Sequence, residues 1–175
     1  LAVGPYDTCP YCMEHKFQQA NAMVNARRAI LQVAGDFEKA FGRKYGFFEA
    51  YRMEDAEVAL VLIGSTAGTA KACIETLRGQ GIKAGLIKIR GFRPCPAQEL
   101  EEGLGQVKAG AVMDNSGRNS ACGGPVYAET AAACYDLPQR PKLINVVFGL
   151  AGRDCGVGDI ERVYRHLIHI AEGGN

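Results

Sequence analysis

Two cysteines and a histidine near the start of the chain have a spacing that could support metal binding or thiol chemistry. Cys9 and Cys12 form a CxxC pair, and His15 follows three residues later. A tetrahedral zinc site requires four such ligands, and no second pair follows at a fitting distance. A thioredoxin-type pair would follow a strand, whereas only turn-forming residues precede Cys9. We interpret the pair as two unrelated thiols in a loop, and a metal or redox module is the alternative.

A second candidate is the segment 64–69, Gly-Ser-Thr-Ala-Gly-Thr, which lies between an apolar run and a helical pattern. Backbone N–H groups and the helix dipole attract anions at such a position. The segment is not a P-loop, because no Gly-Lys-Ser/Thr follows, and it lacks the GxGxxG spacing. The simpler interpretation is that Gly64 makes the turn and Ser65 or Thr66 caps the helix. Contact with a ligand or a partner protein is the alternative.

Basic residues cluster at the carboxyl end of a predicted strand, at Lys88, Arg90 and Arg93. Guanidinium groups at this position could bind a carboxylate or a phosphate. We favour pairing with acidic groups of another subunit over a ligand. Arg153 and Asp154 follow a later strand in the same way, and their role as a structural pair or as a partner contact stays open.

The loop 114–125 is rich in Gly, Ser and Asn and also follows a predicted strand. Ligands of open α/β sheets bind beyond the carboxyl ends of the strands, and loops there often carry function. A flexible connection is an equally good interpretation. The candidate residues of this loop are Asp114, Ser116, Arg118, Gly123 and Gly124.

Composition excludes several classes of protein. The chain has 175 residues, a formal net charge of +1 and seven cysteines. The nearly neutral charge argues against nucleic-acid binding, and no apolar run is long enough to cross a membrane. An odd number of mostly isolated cysteines indicates a reducing cytoplasm rather than a disulfide framework. The chain begins with Leu1 and not with Met, so we expect a processed or excised piece of a longer protein.

Strand and helix patterns alternate along the chain, which predicts a three-layer α/β/α domain with a mixed, mostly parallel five-stranded sheet. The residues 45–51 would add an antiparallel edge. Predicted strands cover 45–51, 58–63, 84–89, 109–113 and 143–148, of which the last four are expected to be buried on both faces. Predicted helices cover 14–40, the stretch from residue 69 to about 78, 99–104, 125–135 and 159–170, the last capped by Asp159.

Seven short stretches, taken in order, carry a family resemblance. They are EHKFQQA from residue 14, FGRKYG from 41, EDAE from 54, GSTAGTAK from 64, IKIRGFRP from 87, GGPVY from 123 and GLAGRD from 149. Together they span nearly the whole chain and resemble the alpha subunit of pyruvate and related 2-oxoacid:ferredoxin oxidoreductases.

The resemblance implies a division of the chain into two parts. Residues 1–42 would be the end of an upstream domain with a connecting helix, and residues 43–175 a domain like the transketolase C-terminal domain. The resemblance also implies that the chain carries no catalytic residue and binds no cofactor alone. The holoenzyme would use thiamine diphosphate, Mg²⁺, 4Fe-4S clusters and coenzyme A, and would pass electrons to ferredoxin. The implied partners are a thiamine-binding beta subunit, a gamma subunit and a ferredoxin-like delta subunit.

Two loops depart from the pattern of this family. Arg93-Pro-Cys-Pro96 stands where the family commonly has Arg-Pro-Phe-Pro, and Arg118 is displaced from the usual Asp-Arg-Ser position after Asp114. In the family interpretation these are interface loops. We therefore expect any influence on turnover to pass through the loops 64–69, 90–96 and 114–124.

Overall fold

The computed structural model describes residues 10–117 and 122–174. The chain divides into two compact units, residues 1–46 and 47–175. In the described residues no helix is long and apolar enough to span a membrane.

The first unit contains one long helix, α1, over Cys12–Phe41. It begins two residues earlier than the sequence predicted and ends as predicted at Gly42, whose left-handed backbone (φ 68°) lets its N–H bond to the carbonyl of Glu38 at 2.8 Å. None of its residues is buried. The Phe37 ring lies 5.4 Å from the ring of Tyr45, so the chain folds back beside the end of the helix.

The second unit is built on a five-stranded sheet. Its strands are β1 (Phe48–Tyr51), β2 (Val58–Ile63), β3 (Ala84–Ile89), β4 (Ala109–Asp114) and β5 (Lys142–Val147). They lie in the order β1-β3-β2-β4-β5. Strand β1 pairs antiparallel with β3 and all other pairs are parallel, which confirms the mixed, mostly parallel sheet.

Helices cover both faces of this sheet, as the alternation of patterns predicted. These helices are α2 (Thr66–Gly79), α3 (Ala97–Leu104), α4 (Pro125–Ala133) and α5 (Val157–Ala171), and a 3-10 turn covers Leu150–Gly152. Helices α2 and α5 enclose one core against the sheet, and its largest buried side chain is Tyr164. Helices α3 and α4 enclose the other core against the opposite face.

The predicted start of α5 and the predicted burial of β5 were wrong, although Asp159 does help to cap α5. Helix α5 begins at Val157, and Asp159 lies in its first turn, where it accepts the N–H of Gly156 at 2.9 Å. Strand β5 is not buried on both faces: it is an edge of the sheet, and its last five residues are only half-buried. An apolar run does not reveal whether a further strand lies beside it.

Candidate functional site

The loops that follow β2 and β4 meet at the carboxyl edge of the sheet. The chain passes from β2 to β3 on one side and returns with β4 on the other side of β2. Such a change of direction leaves a crevice between the two loops, and ligands of open α/β sheets bind in crevices of this kind. The sequence candidates 64–66 and 114–116 therefore come from neighbouring strands.

The turn after β2 is made by Gly64, and α2 starts two residues later. Gly64 has φ +98°, a conformation that residues with a side chain rarely adopt. Neither Ser65 nor Thr66 caps the helix: Ser65 holds the N-cap position without a side-chain hydrogen bond, and Thr66 is already helical. Both hydroxyls instead border the crevice.

The crevice has a volume of about 420 Å³ and is mostly polar. Its far wall is the segment after β5, in which Gly149, Ala151 and Gly152 all have positive φ. Ala151 is one of two such residues other than glycine among the described residues. No salt bridge joins Arg153 to Asp154 in the described residues, and their contact with a partner stays a prediction. The lining residues are Ser65, Thr66, Thr69, Asn115, Phe148, Gly149, Gly152, Arg153, Asp154 and Cys155.

Asp114, at the end of β4, is buried and serves the fold. Its side chain is only 1% exposed, yet both carboxylate oxygens have partners. They accept the backbone N–H groups of Val126 at 2.8 Å and Tyr127 at 3.1 Å. The side-chain amide of Asn145 donates a third hydrogen bond at 2.8 Å. Asp114 thus caps α4 from the neighbouring strand, and the buried charge is stabilised by these donors.

The two glycines before α4 allow this close approach. A Cβ on Gly124 would lie 2.3 Å from Cγ of Asp114, and one on Gly123 would lie 2.8 Å from Oδ1 of Asn145. The N–H of Gly124 donates to that same oxygen at 3.0 Å. Sequence analysis missed Asn145, although one signal was present: it is the single polar residue inside the run Leu-Ile-Asn-Val-Val.

The two remaining candidates of this loop are Ser116 and Arg118. The Oγ atom of Ser116 is buried and makes no hydrogen bond within the described part of the chain. Arg118 lies outside the described residues.

The basic candidates after β3 already have acidic partners in this chain. Arg90 and Lys71 both bond to Glu49 on β1, and the hydrogen bond from Lys71 lowers the pKa of that carboxyl group. Arg93 bonds to Glu129 on α4 at 2.8 Å. The arginines therefore join β1 and α4 to the loop after β3, and contact with another subunit stays a prediction.

The amino-terminal thiol candidate is only partly described. Cys12 is the first residue of α1 and is exposed, His15 lies one turn later, and Cys9 lies outside the described residues. No three His, Cys, Asp or Glu side chains of residues 10–117 and 122–174 are grouped so that they could hold a metal ion.

Four other described cysteines, Cys73, Cys95, Cys134 and Cys155, are poor candidates for nucleophiles. Burial, and to a lesser degree Glu101, raises the pKa of Cys134 to about 11. Burial also raises the pKa of Cys73, Cys95 and Cys155. Because the thiolate is the reactive form, these side chains behave as small apolar groups near neutral pH.

Comparison with known sequences supplies the family. Residues 56–160 match the family described as "Pyruvate:ferredoxin oxidoreductase core domain II". The chain is 41% identical to the pyruvate synthase subunit PorA of Thermotoga maritima, over 95% of this chain and 42% of the relative. It is 36% identical to the ketoisovalerate oxidoreductase subunit VorA of Pyrococcus abyssi, over 99% of this chain and 44% of the relative. The chain thus spans less than half the length of these curated relatives.

Comparison with solved structures shows the same fold. A 2-oxoglutarate:ferredoxin oxidoreductase from Magnetococcus marinus matches 76% of this chain and 21% of its own, with a TM-score of 0.53 and 16% identity. A split-gene transketolase, described as an inactive beta4 tetramer, matches 74% of this chain and 44% of its own, with a TM-score of 0.55 and 12% identity. The expected likeness to transketolase and to oxidoreductase domains is confirmed at the level of fold.

Proposed function

Because the chain belongs to the pyruvate:ferredoxin oxidoreductase core domain II family, we propose that it is an accessory and assembly domain of a 2-oxoacid:ferredoxin oxidoreductase. The holoenzyme would decarboxylate pyruvate or a related 2-oxoacid on thiamine diphosphate, form a coenzyme A thioester and pass electrons through 4Fe-4S clusters to ferredoxin. The family match over residues 56–160 carries this proposal. The relatives are named for different substrates, pyruvate and ketoisovalerate, so the proposal extends to the 2-oxoacid class only.

In this proposal the cofactors of such an enzyme are held by other parts of the holoenzyme. Mg²⁺ with a diphosphate requires free carboxylate or amide oxygens, and Asp114 does not supply them, because α4 and Asn145 engage both of its oxygens. An iron–sulfur cluster requires several cysteines in one place, and the described cysteines do not group in this way. We therefore assign this chain no chemical step.

The role of the chain would be to shape interfaces. Its loops after β2 and β3 are held from within, by the turn at Gly64 and by Arg90 and Arg93, and Asp114 holds the start of α4. Rigid loops lose little conformational entropy on association, so they suit a surface that positions other subunits. In this proposal residues 1–42 continue an upstream domain, and residues 43–175 form the accessory domain. The partners are beta, gamma and delta subunits in the cytoplasm.

Purification of the chain with its natural partners tests the proposal. A tagged chain should bring down a complex that contains thiamine and iron, and this complex should reduce a viologen dye only when a 2-oxoacid and coenzyme A are both present. The isolated chain should be inactive. A chain that recovers no thiamine and no iron from its own cells would contradict the proposal.

A second experiment separates an assembly role from a catalytic one. In the complex, Arg153→Ala should reduce the yield of assembled enzyme and leave the turnover per assembled complex unchanged. Arg165→Ala is the matched control, because Arg165 pairs with Glu161 on α5 and does not line the crevice. Calorimetric titration of the isolated chain with thiamine diphosphate and Mg²⁺ should detect no binding. Tight binding would mean that this chain holds the cofactor.

A further inference from the structure

The outer edge of β5 carries backbone groups that no described strand pairs with. Lys142 and Phe148, at the two ends of the strand, donate their N–H groups towards β4 at 2.9 and 3.1 Å. Alternate residues of a strand direct their N–H and C=O groups to the same side. Leu143, Asn145 and Val147 therefore direct theirs away from β4, towards the open edge.

One contact agrees with this assignment. The hydroxyl group of Tyr127, on α4, approaches the carbonyl oxygen of Leu143 at 3.5 Å, which is too long for a strong hydrogen bond. This carbonyl is therefore accessible from outside the ladder of β4 and β5, as the alternation requires. The side chain of Asn145 is directed inward to Asp114, so only its backbone serves the edge.

From Leu143 onwards this edge lacks the features that normally prevent pairing with other chains. Exposed edge strands are usually prevented from pairing with other chains by charged side chains, proline, bulges or a very short strand. From residue 143 to residue 152 the chain contains neither a charged residue nor a proline. Strand β5 is six residues long and its register with β4 runs without interruption from Lys142 to Val147.

We propose that two copies of this chain associate through β5, antiparallel, about a two-fold axis at Asn145. The three outward residues are evenly spaced, so this axis places Asn145 opposite its own copy and Leu143 opposite Val147. In an antiparallel pair, residues of this kind exchange two hydrogen bonds each. Every outward N–H and C=O group of the strand is then paired, and the two sheets continue into one.

The side chains of β5 are also self-complementary about this axis. Leu143 meets Val147 of the other copy on one face, and Ile144 meets Val146 on the other. Apolar cross-strand pairs of this kind stabilise a sheet. The strand's single charge, Lys142, comes opposite Phe148 and lies far from its own copy, so no like charges face each other. This complementarity favours a second copy over an unrelated strand as the partner, and the inference does not depend on the proposed function.

Val147→Pro is the variant that tests this proposal. Val147 directs its N–H outward, so proline removes one edge donor and leaves the ladder with β4 intact. Val147→Thr is the matched control, because threonine keeps both the N–H group and the β-branched shape. In sedimentation equilibrium the parent chain and Val147→Thr should dimerise as concentration rises, and Val147→Pro should remain monomeric at concentrations where they are dimers. A parent chain that stays monomeric, or a dimeric Val147→Pro, would overturn the proposal.

Hydrogen exchange of the parent chain gives a test that needs no variant. The outward amides of Leu143, Asn145 and Val147 should exchange more slowly as concentration rises. The amides of Ile144 and Val146, already bonded to β4, should change much less. Equal slowing of all five, or none, would exclude pairing at this edge. Slowing that appears only when a different subunit is added would assign the edge to that subunit and overturn the second-copy proposal.

Discussion

The two edge strands of the sheet, β1 and β5, differ in length, in charge and in the contacts that neighbouring side chains make with them. Strand β1 has four residues, and its Glu49 is held by Lys71 and Arg90 from the adjoining elements. Just after it, Arg52 has a positive φ of 55° and bonds to Glu75 on α2 at 3.0 Å. Strand β5 has six residues and no charge after Lys142. In the described residues the chain thus protects the edge at β1 with a short strand and charged side chains, and β5 has no such protection after Lys142.

The carboxylates beside these edges also differ. The side chain of Glu49 is 25% exposed and is held by two cations, whereas Asp114 is buried and is held by two backbone N–H groups and one amide. Solvent screens the first cluster and not the second. The carboxylates of Asp114 and Glu49 should therefore contribute very different amounts to the free energy of unfolding. Three variants measure this difference.

The largest effect is expected for Asp114→Ala. This change leaves the N–H groups of Val126 and Tyr127 and the amide of Asn145 without their acceptor inside the protein. We expect a loss of about 3 kcal/mol in the free energy of unfolding, measured in urea. Asp136→Ala, at an exposed position after α4, is the control and should change it by less than about 0.5 kcal/mol. Equal losses in both variants would show that the buried cluster contributes nothing special.

A smaller effect is expected for Gly124→Ala. The new Cβ would overlap the side chain of Asp114, which the bonds to α4 hold in place, so α4 must shift. We expect a loss of about 2 kcal/mol in the free energy of unfolding. Gly117→Ala is the matched control, since no atom of the described residues lies within 4 Å of its Cβ position and its φ is not positive. If the two variants unfold at the same urea concentration, the close approach at Gly124 has no energetic importance.

The smallest effect is expected for Glu49→Gln, on the edge strand β1. Exposed ion pairs contribute little, so the loss at neutral pH should be about 0.5 kcal/mol and should decrease with added salt. The hydrogen bond from Lys71 lowers the pKa of Glu49 below its ordinary 4.5. The stability from this group is therefore present above that value and is lost as pH falls through the lowered pKa.

The pH dependence provides the measurement for this variant. Unfolding curves of the parent chain and Glu49→Gln should differ at neutral pH and converge in acid. Glu54→Gln, at an exposed position where the side chain makes no hydrogen bond or ion pair with the described residues, should not reproduce this difference. A difference that persists unchanged at low pH would mean that packing of the side chain, and not its charge, stabilises β1.

Most of the secondary structure followed from local pattern. The apolar runs at 58–63 and 84–89 became β2 and β3 at the predicted bounds, because a strand buried on both faces needs an uninterrupted apolar run. Gly42 ended α1 as predicted, since a left-handed residue suits that position. The candidate loops were also recognisable from local sequence, because Gly, Ser and Asn are the residues that turns favour.

The roles of the candidate residues depended on contacts between distant segments. Asp114 meets Asn145 across 31 positions of sequence, and Arg90 meets Glu49 across 41. No local period links such positions, so sequence analysis identified Asp114 and Arg90 as candidates without identifying their partners.

The sequence by itself therefore determined the strands, the helices, the order in which they occur and the family. The sequence also predicted the antiparallel edge at β1, and only the tertiary structure decided that β5 is the other edge, which carboxylate is buried and which arginines are already paired. The physical reason is that hydrophobic periodicity reports how much each residue is buried, whereas strand order decides what buries it. For β5 this distinction is decisive, because its apolar sequence predicted a buried strand and no described strand pairs with its outer edge.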